Sequence, residues 1–196
     1  MSDLVTITCE DLARFRTIAF KETGWGVMLF KREVNQCYGI ADPSNGNNIL
    51  LADCLEIDVF KRGGYIDKTK IDQSKCYDFL FYHELCHVIE KHVERWPDIP
   101  RKFRGGQLFA GKIEGPYEHG AEIASDVFAW KRIYPLVPYK FRPGVAGAAK
   151  KILATYEKLW RLQRVPGAGL QQEEEGGRRN RSEPAHWGTG TKCPGC

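Results

Sequence analysis

His83-Glu84-Leu85-Cys86-His87 is the stretch on which the reading of this chain turns. Two histidines four residues apart on a helix project from the same face, one turn from each other. That spacing lets both imidazoles reach a single tetrahedral zinc ion. Glu84 follows the first candidate ligand directly, where its carboxylate reaches a metal-bound water rather than the metal. Around the motif, Phe79, Leu80, Phe81, Leu85, Val88 and Ile89 predict a helix over about 75–92, capped by Ser74 and buried between other elements. His83 and His87 are therefore candidate metal ligands and Glu84 a candidate general base for metal-assisted hydrolysis. Cys86, inside the motif, reads as packing.

A catalytic zinc needs a third protein ligand and an open position for water. Downstream, Pro116 suits the first position of a helix that runs to about Tyr134, with Pro135 and Pro138 punctuating its end. That helix offers Glu118, His119, Glu122 and Asp126. Glu118, Glu122 and Asp126 form one stripe, and like charges at this spacing repel unless a cation or a ligated histidine sits against them. The residues alone leave the third ligand open, and with it the oxyanion donor, for which Tyr117, His119, Tyr134 and Tyr139 are candidates. His92, five residues after His87, projects away from the ligand face on a continued helix and is read as a surface residue.

Before the motif, Thr8 and Asp11 resemble a capping box opening a helix with Leu12, Phe15, Ile18 and Ala19 on one side and Gly24 as its stop. Val27–Lys31 reads as a strand. Gln36–Ala41 and Asn48–Ala52 read as a hairpin around the turn cluster 42–47, and 54–60 as a further strand ended by Gly63-Gly64. Residues 96–112, with Pro97, Pro100, Gly105, Gly106 and Gly111, read as a long loop of the kind that edges or covers a substrate site. A last helix over about 144–164 sets Ala149, Ile152, Leu153, Tyr156, Leu159 and Trp160 toward a core, with Lys150, Lys151, Lys158, Arg161 and Arg164 solvated. The class is α+β, with one domain over 1–165.

From Pro166 the composition turns to Gly, Glu, Arg, Ser and Thr, which predicts a disordered tail over 166–196. Cys193-Pro194-Gly195-Cys196 resembles one knuckle of a zinc ribbon, but only His186 is at hand to add to it, so no metal is expected there. No apolar run is long enough to span a membrane, and the first residues do not read as a signal peptide. Seven cysteines, an odd number, include Cys37, Cys54, Cys76 and Cys86 in apolar stretches, where they read as small core residues. A reducing, cytoplasmic compartment is the expectation. A net charge of +4 is too slight to call for direct nucleic-acid binding.

Beyond the motif, Glu122-Ile-Ala-Ser-Asp126-Val-Phe128-Ala129 followed by Pro135 resembles the second helix of the ImmA/IrrE-type zinc metallopeptidases, which share the His-Glu-x-x-His helix. The resemblance covers about residues 8–140. It implies a gluzincin-like minimal zincin fold, in which a small antiparallel or mixed sheet packs on the active-site helix and further helices. It implies one zinc ion per chain, Glu122 as third ligand, and Asp126 placed like the outer residue that orients a zinc-bound histidine. It also implies hydrolysis of a peptide bond in a protein substrate such as a transcriptional repressor. Asp126 stands where the family usually has Asn. His119-Gly120 has a weaker similarity to SprT-like proteases, where such a pair supplies the third ligand, so His119 is the alternative to Glu122. The competing function is a catalytically silent zinc-binding protein acting as a binding or immunity module.

Overall fold

The computed structural model describes residues 3–32, 37–43, 46–92, 94 and 116–163. The expected loop over 96–112, the tail over 166–196 and the Cys193/Cys196 pair lie outside the described residues, as do the side chains of Tyr117 and Glu118.

The first helix shows how local chemistry sets an element. In α1 (Cys9–Thr23) the Thr8 hydroxyl oxygen accepts from the Asp11 backbone N–H at 3.0 Å, and Gly24 closes the other end at φ 77° with its N–H on Phe20 O. Only a residue without Cβ adopts that conformation freely. Phe15 and Ala19 are its buried face, and Phe15 stacks on Phe81 with ring centroids 4.4 Å apart.

Strand β1 (Leu4–Thr6), which the sequence reading missed, pairs antiparallel with β5 (Cys54–Glu56). The other sheet holds β2 (Gly26–Phe30), β3 (Gly39–Asp42) and β4 (Asn48–Ala52) in the order β2-β4-β3, with β4 parallel to β2 and antiparallel to β3. The expected hairpin is thus present, turning through Gly46 and Asn47, both at positive φ. β4 lies at the centre, with Ile49, Leu51 and Ala52 fully buried.

One expected strand is in fact two elements. The stretch 54–60 begins as β5 but continues as helix α2 (Ile57–Arg62). Leu55 and Ile57 suit alternation, yet Ile57 and Phe60 are the buried pair, and a three-residue interval is helical. Asp58 in the first turn and Lys61 and Arg62 in the last complement the helix dipole.

A 3-10 turn (Gln73–Lys75) leads into α3 (Cys76–Ile89), so Ser74 lies within that turn rather than capping the helix, and α3 ends three residues earlier than expected. Helix α3 packs on β3, β4 and α1 on one side and on α4 (Pro116–Ile133) on the other, and α4 also carries α5 (Ala146–Gln163). Being covered on both sides, α3 buries Phe79, Phe81 and Leu85 together with Asp78 and Glu84. Asp78 is neutralised by Arg14 at 2.5 Å and Lys75 at 3.1 Å, which ties α1 to the start of α3. The Tyr77 hydroxyl donates to Ala52 O at 3.0 Å and fixes α3 against β4.

The fold is therefore α+β, with five α-helices and two small sheets among the described residues. No described helix is long and apolar enough to cross a membrane. Of the cysteines read as core, Cys76 and Cys86 are buried. Cys37 is exposed and Cys54 half-buried, because Cys37 precedes β3 and the alternation of β5 gives its inward position to Leu55.

Candidate metal centre

Helices α3 and α4 bring His83, His87 and Glu122 together, with one ligand atom of each within 4.8 Å of the others. His83 Nε2 lies 3.1 Å from Glu122 Oε2 and 3.2 Å from His87 Nε2, and His87 Nε2 lies 3.4 Å from Glu122 Oε1. In a tetrahedral zinc site with bonds of about 2.0–2.1 Å, neighbouring donors stand roughly 3.3–3.4 Å apart. The His83–His87 separation is close to that edge, and Glu122 meets the two imidazoles with different carboxylate oxygens.

The same atoms show a demand for positive charge. Burial alone would depress His83, but hydrogen bonds to Asp126 and Glu122 outweigh it and push its pKa up to about 10. Burial drives His87 down to about 4. Burial would raise Glu122 as well, yet the facing His87 and His83 hold it down at about 2. Without a metal, His83 thus stays protonated, its two ring N–H groups facing Asp126 and Glu122, and a bound cation would take the place of the Nε2 proton. Two imidazoles and a carboxylate are a donor set suited to zinc, and they fit it here.

Behind His83 stands a support that the sequence showed only in part. His83 Nδ1 lies 3.0 Å from Asp126 Oδ1, and Asp126 is 1% exposed. The carboxylate also meets Lys68 Nζ at 3.2 Å and accepts from the Tyr65 backbone N–H at 3.3 Å. These partners, Lys68 foremost, more than offset burial and hold Asp126 below the usual carboxylate range. Lys68 is itself buried, with its ammonium over Phe79 at 4.7 Å and Phe60 at 5.1 Å. Tyr65 and Lys68 reach the site because the segment after α2 is clamped to a second one: Asp67 N–H donates to Lys140 O and Arg142 N–H to Tyr65 O, flanking an Ile66–Phe141 bridge. Gly64, at φ 74°, makes room, since a Cβ there would come within 2.6 Å of Asp126 Oδ2. Nothing in the composition of 64–72 marks Lys68 for this role. Only the tertiary clamp does.

Glu84 is not one of the convergent donors but lies close enough to feel the charges of His83 and Glu122. Its carboxylate packs against β3, where Ala41 supplies a backbone hydrogen bond and Gly39 has no side chain. Burial raises its pKa to about 7. A Cβ on Gly39 would approach Glu84 Oε1 to 2.6 Å and Cγ to 2.7 Å. Gly39→Ala should therefore displace the Glu84 carboxylate and leave the three convergent donors alone. For the zinc hydrolase proposed below, the expected result is unchanged zinc content with hydrolysis reduced on the order of 100-fold, the penalty for about 1 Å of misplacement. Parallel metal analysis and activity assays check it.

His119, the alternative third ligand, is not in the convergent group. Its Nδ1 meets the Tyr65 hydroxyl, one turn of α4 before Glu122. Tyr134 is engaged with Asp72, whose backbone N–H donates to its hydroxyl at 3.1 Å, and Tyr139 packs edge-on against Phe141. Burial pushes the Cys86 thiol up to about 12, so it is an inert packing group.

His92 is a correction. Read as a surface residue, it is only 4% exposed, with Nδ1 at 2.9 Å from His87 Nδ1 and Nε2 at 2.6 Å from the Tyr156 hydroxyl. Helical projection failed because the helix has ended: Lys91 adopts φ 53° and reverses the chain. No family model, no curated protein and no solved structure matches this chain.

Proposed function

We propose that this chain is a zinc-dependent metallopeptidase built on a minimal zincin-like fold, with His83, His87 and Glu122 as ligands and Glu84 as general base. The observation that carries the reading is the convergence of two imidazole nitrogens and a carboxylate oxygen within 4.8 Å of one another, beside a buried carboxylate that takes no part in the donor set. Zinc bound there would lower the pKa of a water ligand to about 7 and polarise the scissile carbonyl.

The chain's own residues would do the rest. Glu84 would take a proton from the attacking water and pass it to the departing amine nitrogen, the two transfers a buried carboxylate beside the donor set can make. Asp126 would hold His83 through Nδ1, leaving Nε2 as the ligand atom. His119, whose ring meets the Tyr65 hydroxyl, is one of the candidate donors to the oxyanion. A protein substrate suits the surroundings. β3 is one of the two edge strands of its sheet among the described strands, and it lies directly against Glu84, so an extended peptide can pair along it. The resemblance to the ImmA/IrrE-type peptidases makes a transcriptional repressor in the cytoplasm the substrate to test first.

Purified protein is expected to hold about one zinc per chain. Proteins that accumulate uncut in cells producing Glu84→Gln, compared with wild type, identify the substrate. Elemental analysis without divalent metal after zinc supplementation would falsify the zinc reading. One zinc with no cleaved protein in any comparison makes the chain a silent zinc-binding module instead.

A further inference from the structure

We propose that His92, backed by Tyr156, is a positioning residue that holds His87 in the tautomer able to bind metal through Nε2. The proposal rests on the metal site proposed above and adds two residues to it.

The placement begins with the end of α3. Lys91 N–H donates to Val88 O at 3.1 Å and His92 N–H to His87 O at 3.0 Å, the paired closure of a Schellman motif with Lys91 in the left-handed position. This closure lays the side chain of the last residue back over the residue five before it. In most helices that contact is apolar. Here it is His92 on His87, ring centroids 4.8 Å apart and nearly perpendicular, with Nδ1 facing Nδ1 at 2.9 Å. A side chain in the left-handed region is disfavoured by its Cβ, so the turn is held by what it brings together.

Hydrogen-bond logic then assigns the protons. Two neutral imidazole nitrogens at 2.9 Å share one hydrogen, donated by one ring to the other. For His87 Nε2 to offer its lone pair toward Glu122 and His83, the His87 hydrogen must sit on Nδ1. His87 Nδ1–H then donates to His92 Nδ1, and His92 Nε2–H donates to the Tyr156 hydroxyl oxygen at 2.6 Å. His83 is oriented from behind by Asp126, and His87 by this chain of two residues. Tyr156 is itself seated closely: a Cβ on Gly120 would come within 2.3 Å of Tyr156 Cβ, so only glycine lets α5 approach α4 this far.

The test compares His92→Phe, which keeps a ring but no acceptor, with His92→Asn, whose Oδ1 can occupy the place of Nδ1. Zinc affinity is measured by chelator competition on the full-length protein, with thermal unfolding of the zinc-free forms alongside. His92→Phe should weaken zinc binding by roughly 10- to 100-fold, the usual loss for an outer partner of a ligating histidine. His92→Asn should recover most of it. On zinc-loaded wild type, nitrogen-15 NMR should show His87 carrying hydrogen on Nδ1 with a coupling to His92, which decides the matter should His92→Phe fail to fold. Wild-type affinity in His92→Phe, equal losses in both variants, or no hydrogen on His87 Nδ1 overturns the proposal while the metal site stands. A wild type that binds no zinc overturns both.

Discussion

Glu84→Gln should abolish peptide-bond cleavage while leaving the fold and the zinc in place. Glutamine keeps the size of the side chain, fits the space that Gly39 leaves, and can still accept the hydrogen bond from Ala41. It cannot take a proton from water. General-base transfer contributes ~100- to 10,000-fold, and no second carboxylate among the described residues stands free for it. Glu122 is turned to the two histidines and Asp126 to His83 and Lys68. The same substitution has a thermodynamic signature. The Glu84 pKa is about 7 in the folded protein against 4.5 for the free side chain, so the folded state binds this proton more tightly than the unfolded one. The cost of ionising the buried carboxyl therefore appears as pH rises through 4.5 and is complete above about 7. Zinc-free Glu84→Gln should be more stable than zinc-free wild type at pH 8, and the difference should vanish below pH 4.5, the ordinary value of the side chain. Thermal unfolding at the two pH values measures this. Full cleavage by Glu84→Gln would sink the base assignment.

Much of this was legible in the sequence because it is local. The Thr8 cap, the Gly24 stop and the turn before β4 each follow from one or two side chains acting on their own backbone. The pairing of His83 with His87 follows from helical spacing alone. What escaped was set by contacts far apart in the chain or by an unexpected end. Lys68 reaches Asp126 only through the clamp between 65–67 and 140–142, to which no local pattern points. His92 was misread because its position was extrapolated along a helix that stops at Ile89. A glycine at position 91 would have announced the reversal, and a lysine stands there. The strand expected over 54–60 failed for a related reason. Its apolar residues satisfy both periods for the first few positions, and burial of Phe60 decided for the helix.

Glu122→Ala should cost more zinc affinity than any other single change on α4. Among the described residues its carboxylate is the one group that meets both imidazoles, at 3.1 Å to His83 and 3.4 Å to His87. Removing it leaves two nitrogens, and a third donor would have to come from water or from a rearranged side chain. The loss should exceed about 100-fold, beyond the 10- to 100-fold that an outer partner is worth. His119→Ala should lose less than about tenfold, because its Nδ1 is engaged with Tyr65 and its ring lies outside the convergent group. Asp126→Asn should fall between the two: it keeps an acceptor for His83 Nδ1–H but gives up the charge that Lys68 and His83 both face. Chelator competition on the three variants in one buffer ranks them, and circular dichroism shows whether each is folded. The opposite order, with zinc stripped by His119→Ala and retained by Glu122→Ala, makes His119 the third ligand. The acidic face of α4 would then owe its arrangement to Lys68 and His83 alone.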